Sequence, residues 1–281
     1  MIPYGVFKIQ LFPADADLGD PAYTRVNGAI YDGPMLPGII FEKVEESGPC
    51  KLFKAIKPFC KNCKVGGKCV AEDSCQREPS PISVGMVTVN GFTLNGVKTP
   101  FTMTPSKSNS YQLVGNKPDF PPFSEGDSVV LLAEGTTTMP SFTIKTRGIS
   151  PLVVSNEEIV FEDGKSVTFK WQKPAVAGVS TMNIRINVSY HGGTKGEIII
   201  DCEDNGEVTL PGSMIDRLKS WGLSGYPVVE LTRRSIVTID PSKPDLIIES
   251  AVTKSVKIPG VIPCNQNEDC QSSSCINRMC Q

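Results

Sequence analysis

Histidine is all but missing from this chain, which holds one, His191, among 281 residues. A Ser-His-Asp or Cys-His mechanism therefore has a single position to work from, and zinc sites built on imidazole pairs have none. Charge of one sign is missing as well. The 28 basic residues face 30 acidic ones, so no broad cationic field exists to grip a phosphate backbone, and nucleic acid is not an expected partner. No apolar run approaches the roughly 20 residues that span a bilayer. The longest, 129–133 and 198–200, fall far short, and no transmembrane segment is expected. Heptads, internal repeats and low-complexity tracts are also lacking. Met1-Ile2-Pro3-Tyr4 has neither the basic nor the apolar region of a signal peptide, so any export signal is expected to have been cleaved or to lie outside this sequence.

Cysteine, by contrast, is plentiful. Cys50, Cys60, Cys63, Cys69 and Cys75 form one cluster, Cys264, Cys270, Cys275 and Cys280 a second, and Cys202 stands between them. The 60–75 stretch is too short and polar to pack a core of its own, so disulfides are expected to hold it. That places the protein in an oxidising setting, secreted or in the cell envelope. Five is an odd number, so complete pairing requires Cys202 to reach back to the first cluster, and a Cys50–Cys202 bridge is the expected long-range link. Cys60-x2-Cys63 is half of a zinc site. Cys69-x5-Cys75 and the missing histidines complete it poorly, and no metal ligands are assigned.

Period-2 alternation dominates the rest and predicts an all-β, mainly antiparallel fold: two Ig-like β-sandwich domains, one short helix and small disulfide-stapled segments. A chain of this length can bury two moderate cores. Phe7, Ile9 and Leu11 alternate with Lys8 and Gln10 in an N-terminal β segment, 1–48, followed by the cysteine-rich segment, 49–81. A first sandwich is expected over 82–154, with turns at Asn90-Gly91 and Asn95-Gly96 and a strand at 129–133 buried on both faces. A second sandwich is expected over 155–260. There Met182, Ile184, Ile186, Val188 and Tyr190 share one strand face, and 228–239 and 246–258 form two long strands. Ser213 as N-cap, apolar Met214, Ile215, Leu218 and Trp221, and Gly222 as a stop predict a helix near 213–221. Residues 261–281, with four cysteines, are expected to form a separate C-terminal stapled segment.

Four features bear on chemistry. His191-Gly192-Gly193 is similar to the oxyanion loop of some esterases, but no serine sits in a G-x-S-x-G elbow, and Gly222-Leu223-Ser224-Gly225-Tyr226 is off by a residue. Asp201, Glu203, Asp204, Asn205 and Glu207 offer oxygen ligands for calcium, against the simpler reading of a solvated hairpin turn. Asp15, Asp17 and Asp20 read the same way. Tyr23, Tyr31, Tyr111 and Phe120, the last within Phe120-Pro121-Pro122-Phe123, are aromatics that could stack on sugar rings or anchor a core.

Several phrases resemble known proteins. Trp171-Gln172-Lys173-Pro174, after the alternation of Val167 and Phe169, resembles the second strand of fibronectin type III and related immunoglobulin-like domains. The spacing Cys264-x5-Cys270-x4-Cys275-x4-Cys280 resembles short knots related to colipase and dickkopf modules. That resemblance implies Cys264–Cys275 and Cys270–Cys280. Cys63-x5-Cys69 with Val70-Ala71-Glu72-Asp73 and Cys75, residues 121–127, Gly148-Ile149-Ser150-Pro151-Leu152, Ser189-Tyr190-His191-Gly192-Gly193 and the terminal knot together resemble an uncharacterised family of secreted proteins and lipoproteins from myxobacteria and related bacteria. The likeness implies envelope or extracellular residence and carries no catalytic residues. The expected function is accordingly a non-enzymatic binding or structural module. Its partner would be an extracellular protein, a polysaccharide or a second copy of itself. The alternative is an extracellular hydrolase using His191 or a calcium-assisted acidic loop.

Overall fold

The computed structural model describes residues 4–14, 19–64, 66–115, 117–189, 193–223, 225–271, 274–276 and 279–280. Its backbone is one long sheet that carries two hydrophobic cores on the same face. The sheet runs from an N-terminal hairpin, β1 (Tyr4–Phe12) and β2 (Tyr23–Tyr31), to a second hairpin, β3 (Ile40–Ser47) and β4 (Cys50–Ile56). Among the described residues the fold is all-β and mostly antiparallel, with one α-helix.

Two long strands, Val228–Val237 and Asp245–Lys257, form an antiparallel pair that runs through both halves of the sheet. Leu246 and Ile248 pack into the first core, and Val252 and Val256 into the second. Side chains two apart point the same way along a strand, so even-numbered positions of Asp245–Lys257 serve both cores in turn. β1 joins this strand in parallel, Phe7 opposite Leu246 and Ile9 opposite Ile248. The alternation of Phe7, Ile9 and Leu11 with polar neighbours is realised as a buried face, each of the three at most 1% exposed.

The first core is closed by a four-stranded sheet of Phe101–Met103, Val87–Asn90, Ser128–Ala133 and Phe142–Arg147. Ser128–Ala133 alternates rather than being buried on both faces: Val129, Leu131 and Ala133 face the core, while Leu132 is exposed. The layer has one partner sheet, so its other face meets solvent. The second core is closed by the hairpin Val167–Lys170 and Glu207–Leu210 together with the helix Gly212–Ser220. The helix buries Met214, Ile215 and Leu218, as its spacing predicts, but its N-cap is Pro211 rather than Ser213 and carries no side-chain cap. Proline suits a helix start because its missing N–H would be unsatisfied there anyway. Gly222, at φ +110°, follows the C-cap Trp221.

Neither core is a contiguous span. β1, β2 and residues 246–248 supply the inner layer beneath the four-stranded sheet of the first core, and β3 and β4 extend the sheet beneath the second. The boundaries expected at 48 and 82 therefore fall inside shared architecture. Strand pairing across such distances is decided by long-range packing, which local alternation does not encode.

At the waist between the cores lies a buried ion pair. The Arg233 guanidinium donates to both Asp204 oxygens, Nε to Oδ2 at 2.6 Å and Nη2 to Oδ1 at 3.2 Å. It also donates to Ser150 Oγ and to the carbonyls of Pro151 and Gln172. Trp171 Nε1 and Ser180 Oγ complete the Asp204 carboxylate. Opposite Arg233 in the sheet, Ser250 Oγ accepts from Leu152 N, so the 150–152 connection is fastened to the sheet from two sides.

Candidate functional site

The ten cysteines sort into eight bonded and two free. Cys60–Cys69 and Cys63–Cys75 staple a finger built on the hairpin Gly67–Ala71 and Ser74–Arg77, and Cys264–Cys275 and Cys270–Cys280 staple the C-terminal segment. The finger's base is tied to the first core by Arg77 and Ser80, which both donate to Asp32. Hydrogen bonding and the positive charge of Arg77 hold the Asp32 carboxyl below the usual carboxylate range. The sulfurs of Cys60, Cys63 and Cys75 lie close enough together to suggest a metal cluster, but they are consumed by disulfides.

The expected Cys50–Cys202 bridge is corrected: both are free thiols. Cys50 stands opposite Ile200 on the neighbouring strand, so Cys202 is its diagonal neighbour on the same face. Diagonal positions lie about 7–8 Å apart, beyond the separation a disulfide usually spans. Burial pushes both thiols up to about 11, with nearby Asp204 adding to the effect on Cys202.

Within the acidic run 201–207, Asp201, Glu203 and Asn205 line one open surface hollow together with Arg234, and Asp204 stands apart from them. Asp204 turns inward to Arg233, while Asp201 accepts from Asn183 and Arg234 on the outer face. The alternation that separates the two faces of a strand thus removes Asp204 from the group and leaves the odd-numbered acids on the outer face. His191, Asp15 and Asp17 lie outside the described residues, as does Ser224 of the near-elbow.

Of the four aromatics singled out, two come together. Tyr111 is fully buried, its hydroxyl accepting from Val84 N and donating to Gly85 O, and serves as a core anchor. Tyr31 pairs with Pro81 at the far end of β2. Tyr23, at the near end, and Phe120 both line a groove of about 620 Å³. The groove forms where the sheet edge opens. Ser110–Gln112 pairs with Asn27–Ala29 of β2, and Leu113 N still reaches Val26 O at 3.2 Å. Beyond Leu113 the chain departs, leaving the Tyr23–Arg25 end of β2 without a strand partner on that side among the described residues.

Inward Thr24 and Val26 make the groove wall, and Thr24 Oγ1 donates to Asp119 O, which fixes the opposite lip. Tyr23 stacks on Phe12 with ring centroids 4.5 Å apart and keeps 39% of its own surface exposed. The guanidinium of Arg25 lies 5.1 Å from the Phe12 ring centre and 5.7 Å from that of Tyr23. Asn27 and Gln112 add amides, and Val114 on the lip is 85% exposed. Arg25, Asn27 and Gln112 are not singled out by the sequence reading. The signal for the first two is the outward phase of Tyr23, Arg25 and Asn27, opposite to buried Thr24, Val26 and Gly28.

No protein-family model matches the chain, and no curated protein does. Among solved structures, a tetra-tandem repeat from the extending region of a large adhesion protein is 12% identical, covering 92% of this chain and 76% of that one with a TM-score of 0.23. The FN1–FN3 domains of chicken CNTN1 are 8% identical, covering 84% of this chain and 76% of that one with a TM-score of 0.21.

Proposed function

We propose that this protein is a non-enzymatic extracellular binding module that holds an extended polysaccharide segment in the groove at the open end of β2. The observation that carries the reading is the meeting of exposed Tyr23 and half-buried Phe120 with the amides of Asn27 and Gln112 in one cleft. Sugar rings present an apolar face that stacks on aromatic rings and hydroxyls that hydrogen-bond to amides, and a mostly apolar cleft with a few polar groups suits such a ligand. Four disulfides in the chain support an oxidising, extracellular or envelope setting. Among the described residues no helix is long and apolar enough to cross a membrane.

Support for a calcium-assisted hydrolase is reduced by the engagement of both Asp204 oxygens with Arg233, Trp171 and Ser180. A glycan array probed with the full chain and with Tyr23→Ala tests the proposal. The expected result is binding to one class of polymer that falls by about 2- to 10-fold in the variant, in line with the roughly 0.5–1.5 kcal/mol of one aromatic contact. Binding unchanged in Tyr23→Ala, or capture of a protein partner with no glycan bound, would sink it.

A further inference from the structure

Resting on the glycan reading of the groove, we infer that its ligand is an acidic polysaccharide, one whose sugars carry carboxylate or sulfate groups. The charged side chains that line the groove are Arg25 and Lys117, both cationic, and among the described residues neither is in an ion pair. Some cations around the first core find partners, Lys8 with Glu249, Arg77 with Asp32 and Lys98 with Asp127, while Lys145 and Arg147, like Arg25 and Lys117, are in no ion pair among the described residues. Asp119, on the groove's lip, is turned away. Asp119 accepts from Asn95 N at 2.9 Å and from Gly96 N at 2.8 Å through its two carboxylate oxygens, and offers the groove only its backbone carbonyl. A chain with a formal net charge of −2 thus places two cations at its aromatic cleft with no ion-pair partner among the described residues, so the local charge does not reflect a generally basic surface.

The geometry of Arg25 sharpens the choice. Its guanidinium lies against the Phe12 and Tyr23 rings and, among the described residues, makes one hydrogen bond, Nη2 to Tyr23 Oη at 3.3 Å. Stacking restrains the planar group while leaving the other N–H donors to meet a planar or tetrahedral oxyanion in a forked contact. The same rings that would carry a sugar face therefore carry the cation that would read its acid group. Lys117, on the opposite lip, supplies a mobile point charge suited to a second acidic unit along an extended polymer.

The test measures affinity of the full chain for three oligosaccharides of equal length, a polyuronate, a sulfated glycan and a neutral glycan, at low and at high salt. Arg25→Gln, Arg25→Lys and Lys117→Gln are compared with the parent. Both lysine and arginine positions are on the surface, and folding of each variant is checked by circular dichroism. The expected result is preference for one or both acidic ligands, weakened by about 2- to 5-fold for each charge removed and further by salt, with the neutral ligand unaffected by the substitutions. Arg25→Lys should recover only part of the loss, because charge returns without the stacked fork. Neutral glycan bound as tightly as acidic, with no salt dependence, overturns this inference and leaves the glycan reading intact. Binding of none of the three overturns the reading beneath it. Polyglutamate competing as well as polyuronate also overturns the proposal, because the groove would then read charge without sugar.

Discussion

Replacing Asp204 by Asn keeps the shape of the waist and removes its negative charge. Arg233 and Asp204 expose only 1% and 2% of their side chains, so the guanidinium left behind is a buried cation with no counter-charge. Removing one partner of such a pair costs about 3–5 kcal/mol, against a total stability of about 5–15 kcal/mol for folded domains. With an urea m-value of about 3 kcal/mol/M for a chain of this size, the unfolding midpoint should fall by about 1–1.7 M. Trp171 donates to Asp204 and reports the second core by fluorescence, and far-ultraviolet circular dichroism reports both cores. The two signals should shift together, since Arg233 also holds the 150–151 connection between them. Joint replacement of Arg233 by Met and Asp204 by Leu leaves no buried charge and should recover more than half of the loss. A midpoint for Asp204→Asn within about 0.3 M of the parent would refute the reasoning, because it would mean that the pair is solvated.

Gly28→Ala should destabilise the fold by about 1–3 kcal/mol in urea unfolding, because a Cβ there falls on the Phe7 ring, itself packed against Tyr111. Thiol titration of denatured, unreduced protein should find two free thiols per chain, Cys50 and Cys202, and native protein should react slowly. Finding none would restore the bridge between them. The same thiols set an alkaline limit: their pKa values rise on folding, to about 11, so the stabilisation is present in full below the unfolded value near 9 and is lost as pH rises through 11. Stability measured from pH 8 to 11.5 should decline over that window, and a Cys50→Ala, Cys202→Ala protein should decline less.

Much of the strand content is legible in the sequence because burial on one face leaves period-2 alternation behind. Phe7 to Leu11, Met182 to Val188 and the long pair near the C-terminus all follow it. Partners are not legible in this way. Nothing local to residues 6–11 shows that they lie parallel to 245–250, and that pairing brings the N-terminal hairpin onto the strand that serves both cores. Arg233 shows a subtler failure. It stands in phase with buried Val229 and Leu231, a charged residue at a core position, and that phase was the available clue to the ion pair. Asp204, before Asn205-Gly206, has the chemistry of a turn residue, and only the reach of Arg233 from another strand makes it buried. The groove was half legible: aromatic type pointed to Tyr23 and Phe120, while the cations beside them became visible only once the sheet edge opened between β2 and the 113–120 segment.

Hydrogen exchange on the full chain with and without a bound oligosaccharide tests the location of binding most directly. The account predicts new protection at the Tyr23–Asn27 end of β2 and along residues 112–115, where the open sheet edge borders the groove. Protection confined to the stapled finger, or to residues 187–196, with the groove unchanged, would contradict it.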